Sequence, residues 1–279
     1  MDDQPERADP ISPHVEPNPE AEALWRSVFT GDAGVLRRNR HIFRLIPSEP
    51  RCSMCNAPFG GIGRVLMEAF YHKRPSVWNP RFCNVCEDLA RKYPGGAEIE
   101  MSFLFADVRG STTIAETMSP AEFSRLLNRF YTVATSVLSK HDAMVDKFVG
   151  DEVIGLFPPS IAGPDHARVA LNAARELLTA TGHGRAEGPW LPVGAGVHTG
   201  TAFIGPVGSE SVMQITALGD TVNTTARLAS KAETGEILIS DAAYEAAGLD
   251  LGALEHRSLE LKGRVEPLGV RVLRVSPQP

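Results

Sequence analysis

The sequence predicts an α+β fold, an antiparallel-rich sheet with helices on one face. Three observations predict it. Residues 120–140 place apolar side chains at the i, i+3 and i+4 spacing of an amphipathic helix. Residues 143–149 and 152–157 are apolar runs on either side of Gly150-Asp151, which is typical of a β-hairpin. One strand precedes these elements, and a helix and a strand follow them, so the order is β-α-β-β-α-β.

The N-terminal third of the chain has a different character. Residues 1–20 are rich in Pro, Asp and Glu with almost no apolar content, and we expect them to be disordered. Residues 21–47 predict one or two short amphipathic helices, broken near Gly31-Asp32-Ala33-Gly34. Residues 21–95 therefore form a helical segment with a cysteine-containing module. Pro94-Gly95-Gly96 predicts a turn or linker to the second domain.

The second domain is expected over residues 98–275. Its first strand covers 99–106, before the long helix and the hairpin. The remaining predicted elements are a helix from Asp165 to about Thr181, a strand pair over 192–198 and 201–205 across Thr199-Gly200, a helix over 220–231, and strands near 236–240, 256–262 and 269–274.

Composition excludes several classes of protein. Hydrophobic content of 43% and charged content of 22% are those of a soluble globular protein. The net charge of −6 argues against a nucleic-acid binder that works through overall charge. No stretch approaches the roughly 18 apolar residues of a membrane span. The acidic, polar N-terminus does not resemble a secretory signal, so we expect a cytoplasmic protein.

The four cysteines form two CxxC pairs, Cys52/Cys55 and Cys83/Cys86, separated by 27 residues. In a cytoplasmic protein this spacing indicates a tetrahedral metal site rather than disulfides. Structural Zn²⁺ is the leading prediction, because closed four-thiolate sites are usual for zinc. An iron–sulfur cluster and a thiol redox switch are the alternatives.

Two aspartates are candidate metal ligands. Asp107 ends a buried strand, and Asp151 lies in the predicted hairpin turn. If the two strands are neighbours, both carboxylates project from one sheet edge, where they can hold two Mg²⁺ or Mn²⁺ ions. Taken alone, each aspartate is more simply a helix-capping or turn residue.

Three motifs resemble the catalytic domain of class III nucleotide cyclases, the adenylate/guanylate cyclase family. They cover 105–112 (FADVRGST), 147–151 (KFVGD) and 219–227 (GDTVNTTAR), within a resemblance that spans about residues 98–275. The resemblance implies a ferredoxin-like cyclase domain and a symmetric homodimer. In it, metal residues of one subunit face base-reading and transition-state residues of the other.

The resemblance also implies roles for individual residues. Asp107 and Asp151 would bind the metals, Asn223 would orient the ribose, and Arg227 would stabilise charge on the α-phosphate. Lys147 would specify the purine, with Thr216 as its partner. The triphosphate would be held by the backbone amides of Val108, Arg109, Gly110, Ser111 and Thr112, and Lys262 would touch its terminal phosphates.

The base-reading pair favours ATP. A lysine only donates hydrogen bonds, and adenine N1 accepts one, whereas guanine N1 carries a hydrogen. Thr216 stands where many adenylate cyclases of the family have Asp. Its hydroxyl both donates and accepts, so it discriminates less between purines. Asp146 and Glu152 are expected to face water, as such charges usually do.

The leading prediction is therefore an adenylate cyclase that makes 3′,5′-cyclic AMP and pyrophosphate, regulated by its N-terminal module. Two alternatives stay open. One is a nucleotide-binding regulator that has lost catalysis, although Asp107, Asp151, Asn223 and Arg227 are all present. The other is a zinc-module nucleic-acid binder with a cyclase-like sensor domain, which the net charge opposes.

Overall fold

A computed structural model describes residues 18–31, 34–209, 212–261 and 266–275. In these ranges, no helix combines the length and the apolar character that crossing a bilayer requires. The helices are α1 (Pro19–Thr30), α2 (Val35–Arg44), α3 (Gly61–Tyr71), α4 (Asn84–Lys92), α5 (Ser111–Glu116), α6 (Pro120–Lys140), α7 (Pro159–Ala162), α8 (His166–Ala180), α9 (Asp220–Lys231) and α10 (Asp241–Ala247). The strands are β1 (Ala97–Val108), β2 (Met144–Val149), β3 (Glu152–Phe157), β4 (Val193–Ser209), β5 (Val212–Leu218), β6 (Glu236–Ser240), β7 (Glu255–Leu259) and β8 (Leu268–Arg274).

The described strands form one sheet in the order β2-β3-β1-β4-β6-β8-β7, and β5 pairs with β4 outside this path. β1 is antiparallel to both β3 and β4, and β2 is antiparallel to β3. With α6 and α8 as its connections, this group is the predicted β-α-β-β-α-β unit. The predicted α+β fold is confirmed.

The long helix α6 is well specified by its own sequence. Ser119 precedes it and accepts a hydrogen bond from the Glu122 backbone N–H at 3.3 Å, while the Glu122 carboxylate accepts from the Ser119 N–H at 2.9 Å. This reciprocal capping box, with Pro120 at the first helical position, starts the helix at a defined residue. Phe130 and Leu138 then lie on its fully buried face.

The strand β4 is continuous, so the predicted break into two strands at Thr199-Gly200 is wrong. Ser102 of β1 pairs with Thr199, and the antiparallel ladder continues through Gly200 without interruption. Gly200 serves a close approach rather than a turn, because a Cβ there would lie 3.1 Å from the Oγ1 of Thr221 on α9.

Different helices cover the two faces of the sheet. Successive residues of a strand point to opposite faces. Leu104 of β1 packs in a cluster with α6, α8 and α10, whereas Phe103 packs in a cluster that includes α1 and the cysteine region. α9 lies on the second face, since a Cβ on Gly196 would be 2.5 Å from the Ala229 nitrogen. The helices of the predicted unit share one face, and α9 is an addition to the other.

The N-terminal helix begins earlier than expected. α1 starts at Pro19, and the Asn18 side chain caps it by accepting from the Ala21 N–H at 3.1 Å. The disorder predicted over residues 1–20 is therefore wrong at its end, and residues 1–17 lie outside the described ranges. The predicted helix break between residues 30 and 35 separates α1 from α2.

The N-terminal segment shares a hydrophobic core with the sheet. Trp25 of α1 is fully buried in the same cluster as Phe103 of β1, and its Nε1 donates to the Tyr93 carbonyl at 2.8 Å. The predicted linker is also tightly packed, because a Cβ on Gly96 would lie 2.4 Å from the Phe203 ring. The boundary predicted between residues 95 and 98 is therefore not a break in packing.

We expect Trp25→Ala to lower the free energy of unfolding by about 3–5 kcal/mol, because it empties a buried indole site between α1 and β1. The matched control is Trp78→Ala, since Trp78 is 70% exposed and its ring makes a cation–π contact with Arg91. The control should lower the free energy of unfolding by no more than about 1 kcal/mol. Urea unfolding followed by circular dichroism measures both, and equal losses would contradict the shared core.

Candidate active site

Two carboxylate residues meet at the C-terminal end of β1. Asp107 is next to the last residue of β1, and Asp151 occupies the turn between β2 and β3. Asp107 pairs with Glu152, the neighbour of Asp151, in the β1–β3 ladder. The Val108 N–H donates to the Asp151 carbonyl with a nitrogen–oxygen distance of 3.4 Å. The structure thus places both predicted metal ligands at one end of one strand pair.

Arg109 faces the same carboxylates. Its guanidinium forms an ion pair with Asp107 and donates to the Ser230 carbonyl of α9 at 2.9 Å. Burial lowers the pKa of Arg109, and the charges of Asp151 and Glu152 oppose this shift. We expected only its backbone amide to act. The signal for the side chain was its place two residues after Asp107, just beyond a buried strand.

Glu152 was expected to face water, and this expectation is wrong. The side chain is half-buried. Burial raises the pKa of Glu152 to about 7, the charge of Asp151 adds to the rise, and Arg109 opposes it. A third carboxyl group therefore belongs to this end of the sheet.

The chain turns between β1 and α5 beside Asp107. Gly110 has φ of +67°, a left-handed conformation that glycine adopts without strain. The Arg109 N–H donates to the Pro192 carbonyl at 2.8 Å, which holds the start of the turn. The residues whose amides were predicted to hold the triphosphate, Val108, Arg109, Gly110, Ser111 and Thr112, make up this strand-to-helix turn.

The predicted base-reading residues lie together. Lys147 of β2 donates to the Thr216 hydroxyl of β5 at 3.4 Å, although the two residues are 69 positions apart in the sequence. The Thr216 hydroxyl in turn donates to Asp146 Oδ2 at 2.8 Å, and Lys147 Nζ lies 3.5 Å from the same oxygen. Lys147, Thr216 and Asp146 thus form one connected polar group.

Asp146 was also expected to face water, and this too is wrong. It is only 5% exposed. Burial raises its pKa, whereas the Thr216 hydrogen bond and the charges of Lys147 and Arg81 oppose the rise. The signal was the strand alternation, which places Asp146 on the same buried side as Met144.

α9 carries the two residues assigned to the transition state. Asn223 is exposed and Arg227 is half-exposed, and their four-residue spacing puts them on one side of the helix. Leu228 and Ala229 of the same helix are fully buried and pack it against the sheet. Lys262, assigned to the terminal phosphates, lies outside the described residues.

The four cysteines meet in one buried cluster, as predicted. Their sulfur atoms all lie within 4.8 Å of one another. The Cys55 and Cys83 sulfurs are 3.7 Å apart, close to the edge of a tetrahedron with metal–sulfur bonds of about 2.3 Å. Hydrogen bonds from Cys52, Cys55 and Cys86 lower the pKa of Cys83, and the Lys73 ammonium adds to this effect. The arrangement fits a single tetrahedral ion.

Arg40 joins the first cysteine loop to the catalytic sheet. It is 4% exposed, and its guanidinium donates to the Ser53 and Met54 carbonyls at 3.1 and 2.8 Å. It also donates to the Ala143 carbonyl, just before β2, at 3.2 Å. Burial lowers the pKa of Arg40, and the charge of Asp142 opposes this shift.

A second pair of contacts joins the other cysteine loop to β2 and β5. Arg81 donates to the Val145 carbonyl of β2 at 2.7 Å. Asn79 donates to the Met213 carbonyl of β5 at 3.0 Å. The cysteine module therefore holds the two strands that carry Lys147 and Thr216.

Comparison with known families identifies the class of protein. Residues 97–271 match the model of the adenylate and guanylate cyclase catalytic domain. The chain belongs to this family, as its motifs predicted.

Individual relatives share parts of the chain. Adenylate cyclase 1 of Rhizobium meliloti (strain 1021) is 36% identical over 134 residues, 46% of this chain and 20% of that protein. Adenylate cyclase of Anabaena cylindrica is 31% identical over 132 residues, 46% of this chain and 26% of that protein. The chain thus spans a fifth to a quarter of the length of these relatives.

Two solved structures share the fold. The guanylyl cyclase Cya2 aligns at 30% identity and a TM-score of 0.59, covering 65% of this chain and 95% of its own. The adenylyl cyclase CyaB from P. aeruginosa aligns at 28% identity and a TM-score of 0.56, covering 64% of this chain and 95% of its own. The similar structures therefore include both nucleotide specificities.

We expect Arg40→Ala to lower the free energy of unfolding by about 3–5 kcal/mol, because it leaves three carbonyls without their charged donor. Arg38→Ala, an exposed position on the same helix, is the control and should change stability by no more than about 0.5 kcal/mol. Chemical denaturation measures both variants. If Arg40→Ala were as mild as its control, the link between the module and β2 would carry no stability.

Proposed function

We propose that this protein is an adenylate cyclase, which converts ATP to 3′,5′-cyclic AMP and pyrophosphate. The observation that carries the proposal is the contact between Lys147 and Thr216, 3.4 Å apart within a cyclase catalytic domain. An ammonium group donates to adenine N1 but not to the protonated N1 of guanine. The names of the Rhizobium and Anabaena relatives support this choice, and the similarity to a guanylyl cyclase makes the nucleotide the point to test.

The carboxylates fit divalent cations. Asp107 and Asp151 supply hard oxygen ligands at one end of a strand pair, and the ion pair between Asp107 and Arg109 indicates that this site is built to hold positive charge. In the proposal, Asp107 and Asp151 hold two Mg²⁺ or Mn²⁺ ions. When bound, such ions lower the pKa of the ribose 3′-hydroxyl and shield the phosphate charge.

The remaining residues position the nucleotide and its transition state. Asn223 orients the ribose so that its 3′-oxygen faces the α-phosphate. Arg227 donates two directed hydrogen bonds to the α-phosphate as pyrophosphate leaves. The backbone of Val108–Thr112 binds the triphosphate where the chain turns into α5. Lys262 is assigned to the terminal phosphates.

The proposed active form is a homodimer with two sites, each built from both subunits. Asp107 and Asp151 of one subunit face Lys147, Thr216, Asn223 and Arg227 of the other. Each chain carries both halves, so a symmetric pair completes two sites. A single chain would leave each half without its complement.

A second candidate is a nucleotide-binding regulator without catalytic activity. The ion pair between Arg109 and Asp107 is the observation that favours it, because the guanidinium takes the place of a cation at that carboxylate. Product formation separates the two candidates.

The cysteine module is proposed to hold Zn²⁺ and to regulate the cyclase. A single ion suits sulfurs within 4.8 Å of one another, whereas an iron–sulfur cluster would place several metal atoms between them. Hydrogen bonds from Arg81 to β2 and from Asn79 to β5 would couple the module to the strands that carry Lys147 and Thr216. Four free thiols suit a reducing compartment, so a cytoplasmic location is proposed.

The purified protein with Mn²⁺ should form cyclic AMP from ATP and much less cyclic GMP from GTP. Asp107→Ala should lower kcat by about a hundredfold or more, because the metal site loses a ligand. Glu245→Ala, which removes an exposed carboxylate on α10, should keep full activity. Chromatographic quantification of both products is the measurement. Equal turnover of the two nucleotides would overturn the ATP assignment, and no product from either would favour the silent regulator.

Mixing two inactive variants tests the shared site. Asp107→Ala and Arg227→Ala should each be inactive, and an equal mixture should regain about a quarter of wild-type activity. Half of the dimers are then mixed, and each mixed dimer has one intact site of two. Asp107→Ala mixed with Asp151→Ala is the control and should stay inactive, because both changes lie in the same half. Recovery in the control, or none in the test mixture, would contradict the two-subunit site.

Removal of the thiolate metal should weaken the cyclase. The wild type should carry one Zn²⁺ per chain, and Cys83→Ser should lose it and lower kcat/KM for ATP by about tenfold or more through displacement of β2 and β5. Ser53→Ala, within the first CxxC loop, should keep both the Zn²⁺ and the wild-type kcat/KM. Elemental analysis and initial rates measure the two properties. Full activity in a metal-free Cys83→Ser protein would show that the module does not regulate the site.

A further inference from the structure

Asp146 lies directly behind the base-reading pair. Its Oδ2 accepts a hydrogen bond from the Thr216 hydroxyl at 2.8 Å and lies 3.5 Å from Lys147 Nζ. The side chain is 5% exposed, so it is shielded from water. Among the residues that the structure describes, its other oxygen, Oδ1, has no hydrogen-bond partner.

The hydrogen bond to Asp146 decides what the Thr216 hydroxyl can offer a nucleotide. A threonine hydroxyl has one hydrogen to donate and two lone pairs that accept. An ionised carboxylate only accepts, so the single hydrogen of Thr216 is directed toward Asp146. One lone pair accepts from Lys147 Nζ at 3.4 Å, and the other remains for the nucleotide, so the hydroxyl behaves toward the base as an acceptor.

Several contacts keep the carboxylate in this role. Burial raises the pKa of Asp146, and the positive charges of Lys147 and Arg81 oppose this rise and favour the ionised form. Arg81 is itself held by its bond to the Val145 carbonyl, the residue before Asp146. The Thr216 hydrogen bond and the Lys147 ammonium both contact Oδ2, so they orient the carboxylate toward the base-reading pair.

We infer that Asp146 is a specificity-determining residue, which makes Thr216 an acceptor and so selects purines that carry a 6-amino group. The inference rests on the proposed function, because it takes Lys147 and Thr216 as the base-reading pair. The 6-amino group of adenine is a donor and the 6-oxygen of guanine is an acceptor. An acceptor-only hydroxyl bonds the first and repels the second. Asp146 is a positioning residue, since it acts through Thr216.

Binding of non-cyclisable nucleotides tests the inference. The probes are the 3′-deoxy triphosphates of adenosine, guanosine and purine riboside, the last of which lacks the 6-amino group. Their dissociation constants are measured by calorimetry with Mn²⁺ for the wild type, Asp146→Ala, Thr216→Val and the double variant. Glu245→Ala serves as the charge-loss control. The wild type should prefer the adenosine probe over each of the others by about tenfold or more, the usual effect of one buried polar group left unpaired.

Coupling between the two positions is the decisive result. Asp146→Ala should lower the adenosine preference by about tenfold, Thr216→Val should lower it equally, and the double variant should match Thr216→Val. A purely structural role would weaken all three probes alike and leave their ratios unchanged. Unchanged ratios in Asp146→Ala, or losses that multiply in the double variant, would overturn the inference.

Two further measurements keep the outcome clear. Should Asp146→Ala fail to fold, Asp146→Leu fills the space without an acceptor, and the same loss of preference is expected. Should the wild type bind the purine riboside probe as tightly as the adenosine probe, the inference fails without any variant. These ratios do not depend on turnover. A protein that forms no cyclic nucleotide yet shows the expected ratios would refute the proposed function and retain the role of Asp146.

Discussion

The strand β1 is paired along its length with β4 and, over its second half, with β3, and the candidate site depends on these two pairings. Because β3 runs antiparallel to β1, the turn that precedes β3 returns to the end of β1, where Asp151 meets Asp107. The same ladders determine which residues face each helix layer. A one-residue slip of the β1–β3 register would invert both faces of the strand and change the position of Asp107 relative to Asp151.

The packing on the second face of the sheet makes the N-terminal segment part of the same hydrophobic core as β1. Trp25 and Phe29 fill a cluster that includes Phe103 and Phe105 of β1. The cysteine loops add directed hydrogen bonds to β2 and β5, through Arg81 and Asn79. A metal bound to the four thiolates would therefore be coupled to the strands of the base-reading pair by a short chain of contacts.

Charged side chains of the candidate site form oppositely charged pairs. Arg109 lies against Asp107, and Lys147 lies against Asp146. Both acidic residues sit at strand positions with restricted access to water, where an unpaired charge would be costly. Members of both pairs, Asp107 and Lys147, are also among the groups proposed to bind the substrate and its cations.

The sequence by itself determined the elements whose signals are local. Periodicity and the capping box located α6, and apolar runs around Gly150-Asp151 located β2 and β3. The two CxxC pairs predicted their own cluster, because thiols at that spacing favour one tetrahedral ion. The motifs around Asp107, Lys147 and Arg227 predicted the cyclase family, whose catalytic-domain model matches residues 97–271.

Only the tertiary structure decided what depends on distant neighbours. A Thr-Gly pair is typical of a turn, yet Gly200 lies within β4 because α9 approaches it closely. In the sequence, Asp146 and Glu152 resemble solvated charges, because Thr216 and Arg109 become their neighbours only in the folded chain. Local patterns describe a residue's own backbone, whereas burial and hydrogen-bond partners come from distant chain segments, as for Asp146 and Thr216, which are 70 positions apart in the sequence.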